Sequence, residues 1–286
     1  MELINEYGYL FLLDDVLKNG EKKQTRNGIT YSKFAALLRF NTNDGSSFPL
    51  LTSKKIFFRG IVEELLWFLR GSTNSKELEE KGINIWKANS SREFLDSVGL
   101  LHNQEGDLGL IYGYQWRSFN GEIDQIKYLL KELQTNSRRA LISAWNPCQL
   151  HLQALPPCHI LYNFYKSNDN VIHCLMYMRS SDLFLGLPFN IASTALLLMI
   201  IAKVMGYKTG DVCISICDCH IYEEHLEQTK QQLNNHCYPF PQLSINKDID
   251  INISIDEKIK WIENLSFQDF QLTNYLSHNT IKAPMK

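Results

Sequence analysis

The sequence predicts an α+β fold. Behind that reading are several long segments rich in β-branched and aromatic residues, a few long helical stretches, and no regular strand–helix alternation between them. Ile56–Arg70 reads as a helix, because Phe57, Ile61, Leu65 and Phe68 recur at helical spacing and Gly71 follows as a stop. Ala140–Trp145, Cys158–Tyr165 and Val171–Arg179 read as strands punctuated by Asn-Pro, Pro-Pro and the run Ser167-Asn168-Asp169-Asn170. That last run joins the second and third as a hairpin. Leu183–Ala202 carries no charge and is about the ~20 residues a membrane span requires. Gly186, Pro188, Asn190, Ser193 and Thr194 interrupt its first half, so a buried core helix is expected. Asp211–Tyr222 reads as a further strand. The alternating Ile249, Ile251, Ile253 and Ile255 read as a later, half-exposed one.

The 286 residues are read as a single domain, 1–286, without repeats or linkers. Lys and Arg number 29 against 31 Asp and Glu, which excludes the strong basic excess of a dedicated nucleic-acid binder. RNA binding is therefore not indicated. Seven cysteines, an odd count in a long chain, point to free thiols in a reducing compartment. Met1–Leu13 lacks the features of a secretory signal. A cytoplasmic protein without a membrane span is expected.

Four features carry chemistry. Glu64 lies on the apolar face of its predicted helix, whereas Glu63 is turned away; a carboxylate there must find a partner, stay protonated or line a cavity. Cys213, Cys217, Cys219 and His220 fit no standard metal spacing, so no metal site is expected. Strand period puts the three thiols on one face as core residues, and Asp218, His220 and Tyr222 on the other. Cys158 follows Pro156-Pro157, which define its backbone, and the hairpin places Arg179 beside it as the positive charge a thiolate needs. Taken alone, a buried structural cysteine is the simpler reading. Arg138-Arg139, with Arg179-Ser180, suit a shared phosphate. Taken alone, a solvated basic turn is the simpler reading of the first pair.

In order along the chain stand Glu63-Glu64-Leu65-Leu66-Trp67-Phe68-Leu69, Gly106-Asp107-Leu108-Gly109, Tyr112-Gly113-Tyr114-Gln115-Trp116 and Ser137-Arg138-Arg139. Ala154-Leu155-Pro156-Pro157-Cys158-His159, Arg179-Ser180-Ser181-Asp182 and Leu185-Gly186-Leu187-Pro188-Phe189-Asn190-Ile191-Ala192-Ser193 follow, then His220-Ile221-Tyr222 and Ile281-Lys282-Ala283-Pro284. With these motifs the sequence resembles the thymidylate synthase family from about residue 30 to the end. Trp86–Tyr112 is similar to the longer eukaryotic-type version of that segment. The resemblance implies a large mixed β-sheet with helices on one face and a homodimer formed sheet to sheet. It implies reductive methylation of dUMP to dTMP, with 5,10-methylenetetrahydrofolate as co-substrate and dihydrofolate as co-product, and no metal.

The resemblance also implies roles. Cys158 would be the nucleophile, activated by Arg179, and Glu64 a water-linked acid/base. Tyr112 would assist removal of the C5 proton. Asn190, supported by Ser193 and His159, would read the uracil edge. Arg179, Ser180 and, from the partner subunit, Arg138 and Arg139 would hold the phosphate. His220 and Tyr222 would hold the ribose. Asp182 would bind the pterin, with Ile85, Trp86, Asn89, Leu185, Gly186 and Phe189 lining the folate pocket.

The chain departs from the family pattern at three places. Thr25 stands where the family has a phosphate-binding Arg, with Arg26 one residue later. Either the loop shifts to bring Arg26 in, or that arginine is missing. Met178 replaces the usual Gln, and Met285-Lys286 makes the tail one residue short. Two rivals follow from the same resemblance. A deoxycytidylate hydroxymethylase would carry Asp at position 190, so Asn190 argues for uracil. A non-catalytic nucleotide- or RNA-binding member would not need Cys158, Glu64, Asp182 and Asn190.

Overall fold

A computed structural model describes residues 3–285; Lys286, part of the tail singled out above, lies outside the described residues. Strands β1 (Leu3–Ile4), β2 (Glu21–Thr25) and β3 (Gly28–Asn41) flank helix α1 (Asn5–Asn19). Helices α2 (Phe58–Leu69), α3 (Lys76–Glu79), α4 (Arg92–Ser97), α5 (Tyr112–Ser118) and α6 (Gln125–Gln134) follow. Then come β4 (Leu141–Ser143), β5 (His159–Lys166), β6 (Val171–Asp182), α7 (Gly186–Met205) and β7 (Lys208–Tyr222). Helix α8 (Leu226–Leu233), β8 (Gln242–Ile245), α9 (Ile255–Glu263) and β9 (Phe270–Thr273) complete the order.

One seven-stranded mixed sheet runs β1-β3-β7-β6-β5-β4, with β2 also paired to β3. The β6–β7 pair is parallel, while β3–β7, β5–β6 and β4–β5 are antiparallel. The expected hairpin is β5–β6, with Lys166 opposite Ile172.

Helix α7 is apolar on every side, which is stable in water only if neighbours enclose it. Most of the helix is buried within the fold, although by length and composition it could cross a membrane. Gly206 ends it at φ 71°, a left-handed cap that glycine adopts without a Cβ clash. Thr194 on α7 contacts Met176 of β6, so the helix covers the sheet face of Ile172, Cys174, Met176 and Met178. The opposite face is bare and apolar: Phe34 is 84% exposed, Leu37 51% and Leu175 40%.

A line of irregularities crosses the sheet. Ala35 has φ 61°, and the β3–β7 pairing skips from Phe34–Asp218 to Ala36–Ile216. The β6–β7 pairing skips Arg179 and Cys217, and β5–β6 shifts register between His159 and Leu161. A bulge reverses which residues face the core. Val212, Ile214 and Ile216 are buried before it on β7, and Cys219 and Ile221 after it. On β6 the change runs from Met178 to Ser181. Beyond the line, half-buried Ser180, Asp182, His220 and Tyr222 alternate with the core residues.

Three expectations change. Ile249–Ile255 forms no strand: residues 246–250 are irregular and Ile255 opens α9. Asp250 accepts the Asn252 N–H to make a turn, and Ser254 with Glu257 forms a reciprocal capping box, so local caps override the period-2 pattern. The three strand cysteines do not share one face, because the bulge lies between them: Cys219 is buried, while Cys213 and Cys217 are half-buried. Helix α1 has no counterpart in the sequence reading. Its inner residues Tyr9, Leu12, Leu13 and Val16 are buried.

Helix α1 also carries a buried carboxylate. Glu6 accepts from the backbone N–H of Thr52 and Ser53 and from the Thr52 hydroxyl, at 2.7–2.9 Å. These bonds hold the segment leading to Lys54.

Leu197 of α7 is fully buried. Leu197→Ala is expected to lower unfolding stability by about 2–5 kcal/mol, the usual range for a core leucine deletion. The shift in urea midpoint measures it.

Candidate active site

The site grows from the Pro156-Pro157-Cys158 turn. Prolines offer carbonyls but no N–H groups. Arg179, beside the start of β5 as the hairpin dictates, supplies the donors. Its Nε donates to the Pro157 carbonyl at 2.8 Å and its Nη2 to that of Pro156 at 2.9 Å. Nη2 also lies 3.5 Å from Cys158 Sγ. The Arg179 backbone N–H donates to the Cys158 carbonyl at 3.0 Å.

Cys158 is half-buried. Burial pushes its thiol pKa up and Arg179 pulls it down, with a net rise. Arg179 thus acts on the thiol in the expected direction, but burial is the larger effect. The guanidinium is shared with two carbonyls, and desolvation of the sulfur outweighs it.

Tyr112, at the start of α5, accepts the Cys158 backbone N–H at 2.8 Å. Burial, then the nearby Cys158, raises its phenol pKa well above the usual value. The His159 ring stacks on Tyr112 at 4.0 Å and 13°, and its Nδ1 is 2.9 Å from the Tyr162 hydroxyl. Burial lowers the His159 pKa to about 3, so the ring is neutral at physiological pH.

Among the described residues, Glu64 pairs with no arginine. It accepts the Trp86 indole N–H at 2.8 Å, and burial pushes its carboxyl pKa up to about 7. Trp86 lies 6.1 Å from Tyr112 by ring centroids, which ties Glu64 to the Cys158 cluster. Glu63 is not turned to solvent: it is buried and pairs with Lys81 at 2.7 Å.

Past the bulge, Ser180 Oγ and Asp218 Oδ1 each lie 3.4 Å from the same nitrogen of His220, Nδ1. Tyr222 packs edge-on against His220 at 5.3 Å. Asp182 ends β6 and accepts the N–H of Phe184 and Leu185, which directs the chain into α7. The first turns of α7 carry Gly186, Phe189, Asn190 and Ser193. Asn190 and Ser193 are three residues apart on one helix face, and both are half-buried. A Cβ at Gly186 would sit 3.9 Å from Asn190 Oδ1 and 3.8 Å from Asp182. Asn190, Gly186 and Asp182 are therefore neighbours. Leu185 is half-buried just ahead, and Ile85 and Asn89 are half-buried beside Trp86.

Three predicted residues stand apart. Arg138 and Arg139 are exposed, and Arg139 pairs with Glu132 at 3.3 Å. They precede Leu141, which pairs with Asn163. Strand rise puts them roughly 20 Å from Cys158 of the same chain, beyond an arginine's reach. Arg26 occupies the exposed tip of the β2–β3 hairpin, with its Nε toward Asn27. The hairpin tip approaches Tyr222, whose pKa Arg26 and Asn27 both help to lower against a net rise from burial.

Two residues escaped the sequence reading. Lys54 Nζ is buried, donates to the Phe184 carbonyl at 2.5 Å and lies 3.5 Å from the Phe184 ring centre. Burial lowers its pKa to about 7, with Asp182 acting against that shift. His225 is wholly buried, 3.8 Å from Asp182. Burial lowers its pKa, but the nearby Asp182 carboxylate leaves it raised overall. Neither residue lies within a motif that could have signalled it.

The profile of the family described as "Thymidylate synthase" matches residues 7–286, further toward the N-terminus than the motifs indicated. A thymidylate synthase of Homo sapiens is 43% identical over 98% of this chain and 90% of its own length. A putative bifunctional dihydrofolate reductase-thymidylate synthase of Oryza sativa subsp. japonica is 44% identical over 98% of this chain. A bifunctional dihydrofolate reductase-thymidylate synthase of Paramecium tetraurelia is 43% identical over the same share. The chain spans 57% and 61% of those two bifunctional proteins.

The Glu64 environment gives a testable pH dependence. Its folded pKa, about 7, lies above the ordinary 4.5, so the folded form holds the proton more tightly. The resulting stability is fully present below about pH 4.5 and is lost as pH rises through about 7. Glu64→Gln removes this dependence. The variant is expected to gain in melting temperature relative to the parent as pH rises across that window, as thermal melts at stepped pH will measure.

Proposed function

The chain belongs to the thymidylate synthase family, and on that premise we propose that it methylates dUMP to dTMP, with 5,10-methylenetetrahydrofolate as donor of both carbon and hydride. The observation that carries this reading is the Cys158 cluster: a thiol on a doubly proline-fixed turn, a guanidinium 3.5 Å from its sulfur, and a phenol holding its backbone N–H.

Uracil C5 is a poor nucleophile at neutral pH. Attack of the Cys158 thiolate on C6 breaks the C5–C6 double bond and makes an enolate that is nucleophilic at C5. The raised thiol pKa means that the ionised form must be favoured on substrate entry. A thiol that stays un-ionised until its substrate enters is less prone to oxidation. Arg179 also meets the phosphate, with Ser180. The amide of Asn190 fits both the O4 acceptor and the N3–H donor of uracil, backed through water by Ser193 and neutral His159. His220 and Tyr222 take the ribose hydroxyl.

The C5 carbanion then bonds to the folate methylene. The C5 proton leaves with help from Tyr112, and Glu64 carries protons through water at a pKa matched to neutral pH. The methylene's bonds to folate N10 and N5 break in turn, the second as the C5 proton leaves, which gives an exocyclic methylene on C5. Hydride transfer from the released tetrahydrofolate to that methylene, with departure of Cys158 and re-formation of the C5–C6 double bond, gives dTMP and dihydrofolate. Asp182 receives the pterin, with Ile85, Trp86, Asn89, Leu185, Gly186 and Phe189 around the ring system.

We take the working form to be a homodimer. Its support is the bare apolar sheet face around Phe34 and Leu37, and the distance of Arg138 and Arg139 from Cys158 of their own chain. The arginines then complete the phosphate clamp of the partner subunit. Arg26 adds to the clamp of its own chain's site through a movement of the hairpin tip beside Tyr222, for which Gly28, at φ 123°, has the backbone freedom. An odd count of seven cysteines suits a reducing, cytoplasmic setting.

The primary test is tritium release from dUMP labelled at C5. Release that requires methylenetetrahydrofolate is expected, and Cys158→Ser is expected to abolish it, because nothing in the site would ionise a serine hydroxyl. Near-parental release by the variant would remove Cys158 as nucleophile.

Subunit mixing tests the shared clamp. Arg139→Glu and Cys158→Ser homodimers should each be inactive, while their heterodimer should regain one intact site. Absence of regained activity after verified exchange would place the arginines within their own chain's site.

A further inference from the structure

We propose that His225 is a positioning residue for the folate half of the reaction, tying the segment 281–285 to Asp182 through one imidazole ring. The inference rests on the thymidylate synthase reading of the site. His225 lies in the turn between β7 and α8, three residues after Tyr222, and is 0% exposed. Its Nε2 is 2.8 Å from the Pro284 carbonyl. A carbonyl only accepts, so Nε2 carries a proton. Its Nδ1 is buried without a hydrogen bond and stands 3.8 Å from Asp182 Oδ2.

Asp182 has used its other oxygen, Oδ1, for the N–H groups of Phe184 and Leu185. Oδ2 is therefore the oxygen free to turn toward a ligand, and His225 faces it. The surroundings are otherwise apolar rings, Tyr222 at 5.5 Å and Phe184 at 5.6 Å, with the Lys54 cation as the further charged group on this network. A shift of roughly 1 Å would turn the 3.8 Å approach into a hydrogen bond. Settling of the 281–285 segment against His225 would thus also set the angle of the Asp182 carboxyl. A histidine kept only for packing would not need an unpaired nitrogen aimed at a carboxylate.

Three variants of the full chain separate the two ends of the ring. His225→Gln keeps a donor where Nε2 stands. His225→Asn keeps one near Nδ1 but cannot reach Pro284. His225→Phe fills the space without polar atoms. In the ligand-free protein, amide hydrogen exchange at Ile281, Lys282, Ala283 and Met285 should quicken in Asn and Phe and stay near parental in Gln. At saturating dUMP, the KM for methylenetetrahydrofolate should rise about tenfold in Gln and Phe, the size of one lost hydrogen bond to a charged group, and less in Asn. The dissociation constant for dUMP should stay within about twofold of the parent in all three, as only the folate half is affected. Unchanged exchange and unchanged folate KM would overturn the proposal. So would equal losses for both substrates, which mark a packing role alone. A parent protein that fails to turn over dUMP would refute the thymidylate synthase reading instead, and the exchange pattern would still judge the Pro284 contact.

Discussion

Two consecutive prolines give the backbone before Cys158 acceptors without donors, and Arg179 resolves that imbalance. Nε and Nη2 take the two proline carbonyls, the backbone N–H takes that of Cys158, and the guanidinium edge is left beside the sulfur. A lysine could not do this, because only a planar fork reaches both carbonyls at once. The β5–β6 hairpin delivers that side chain, and the thiol's position and the local charge are consequences of it. Tyr112 closes the arrangement from the helical side by accepting the one N–H the turn has to give.

A second centre forms around Asp182, and it is built from distant pieces of chain. The carboxylate starts α7, faces His225, and shares the vicinity of Phe184 with buried Lys54. The Lys54 segment is itself fixed by the buried Glu6 of α1, whose charge is met by amide and hydroxyl donors. A carboxylate with that many donors is stable in the interior without a cation. Through this route the N-terminal helix bears on the far end of the site.

What could be read in the sequence was local. The α2 pattern follows from period, and the Asn/Asp turn between β5 and β6 is enough to bring Arg179 to Cys158. The neighbourhood of Glu64 needed only its place on an apolar helix face, although its indole partner on a separate loop had no such signal. His225 meets a carbonyl 59 residues away and Lys54 one 130 residues away, so no window of sequence contains either pair. The isoleucine run at 249–255 misled because alternation was weighed without the Ser254–Glu257 cap that starts a helix inside it. The strand cysteines misled because a bulge, invisible in composition, lies between Cys213 and Cys219.

That line of bulges bears on how the protein can evolve. Each of four strands departs from regular pairing at the same level, beside Ala35, Cys217, Arg179 and Ile160. Deleting the irregular residue from one strand would exchange inward and outward faces for everything beyond it. On β7, His220 and Tyr222 would trade places with Cys219 and Ile221, and the pocket would lose its polar wall while the core gained two polar rings. Correcting one strand would require simultaneous changes in its neighbours. An insertion or deletion within one of these strands would thus disturb all four, whereas one in a loop would leave their faces unchanged.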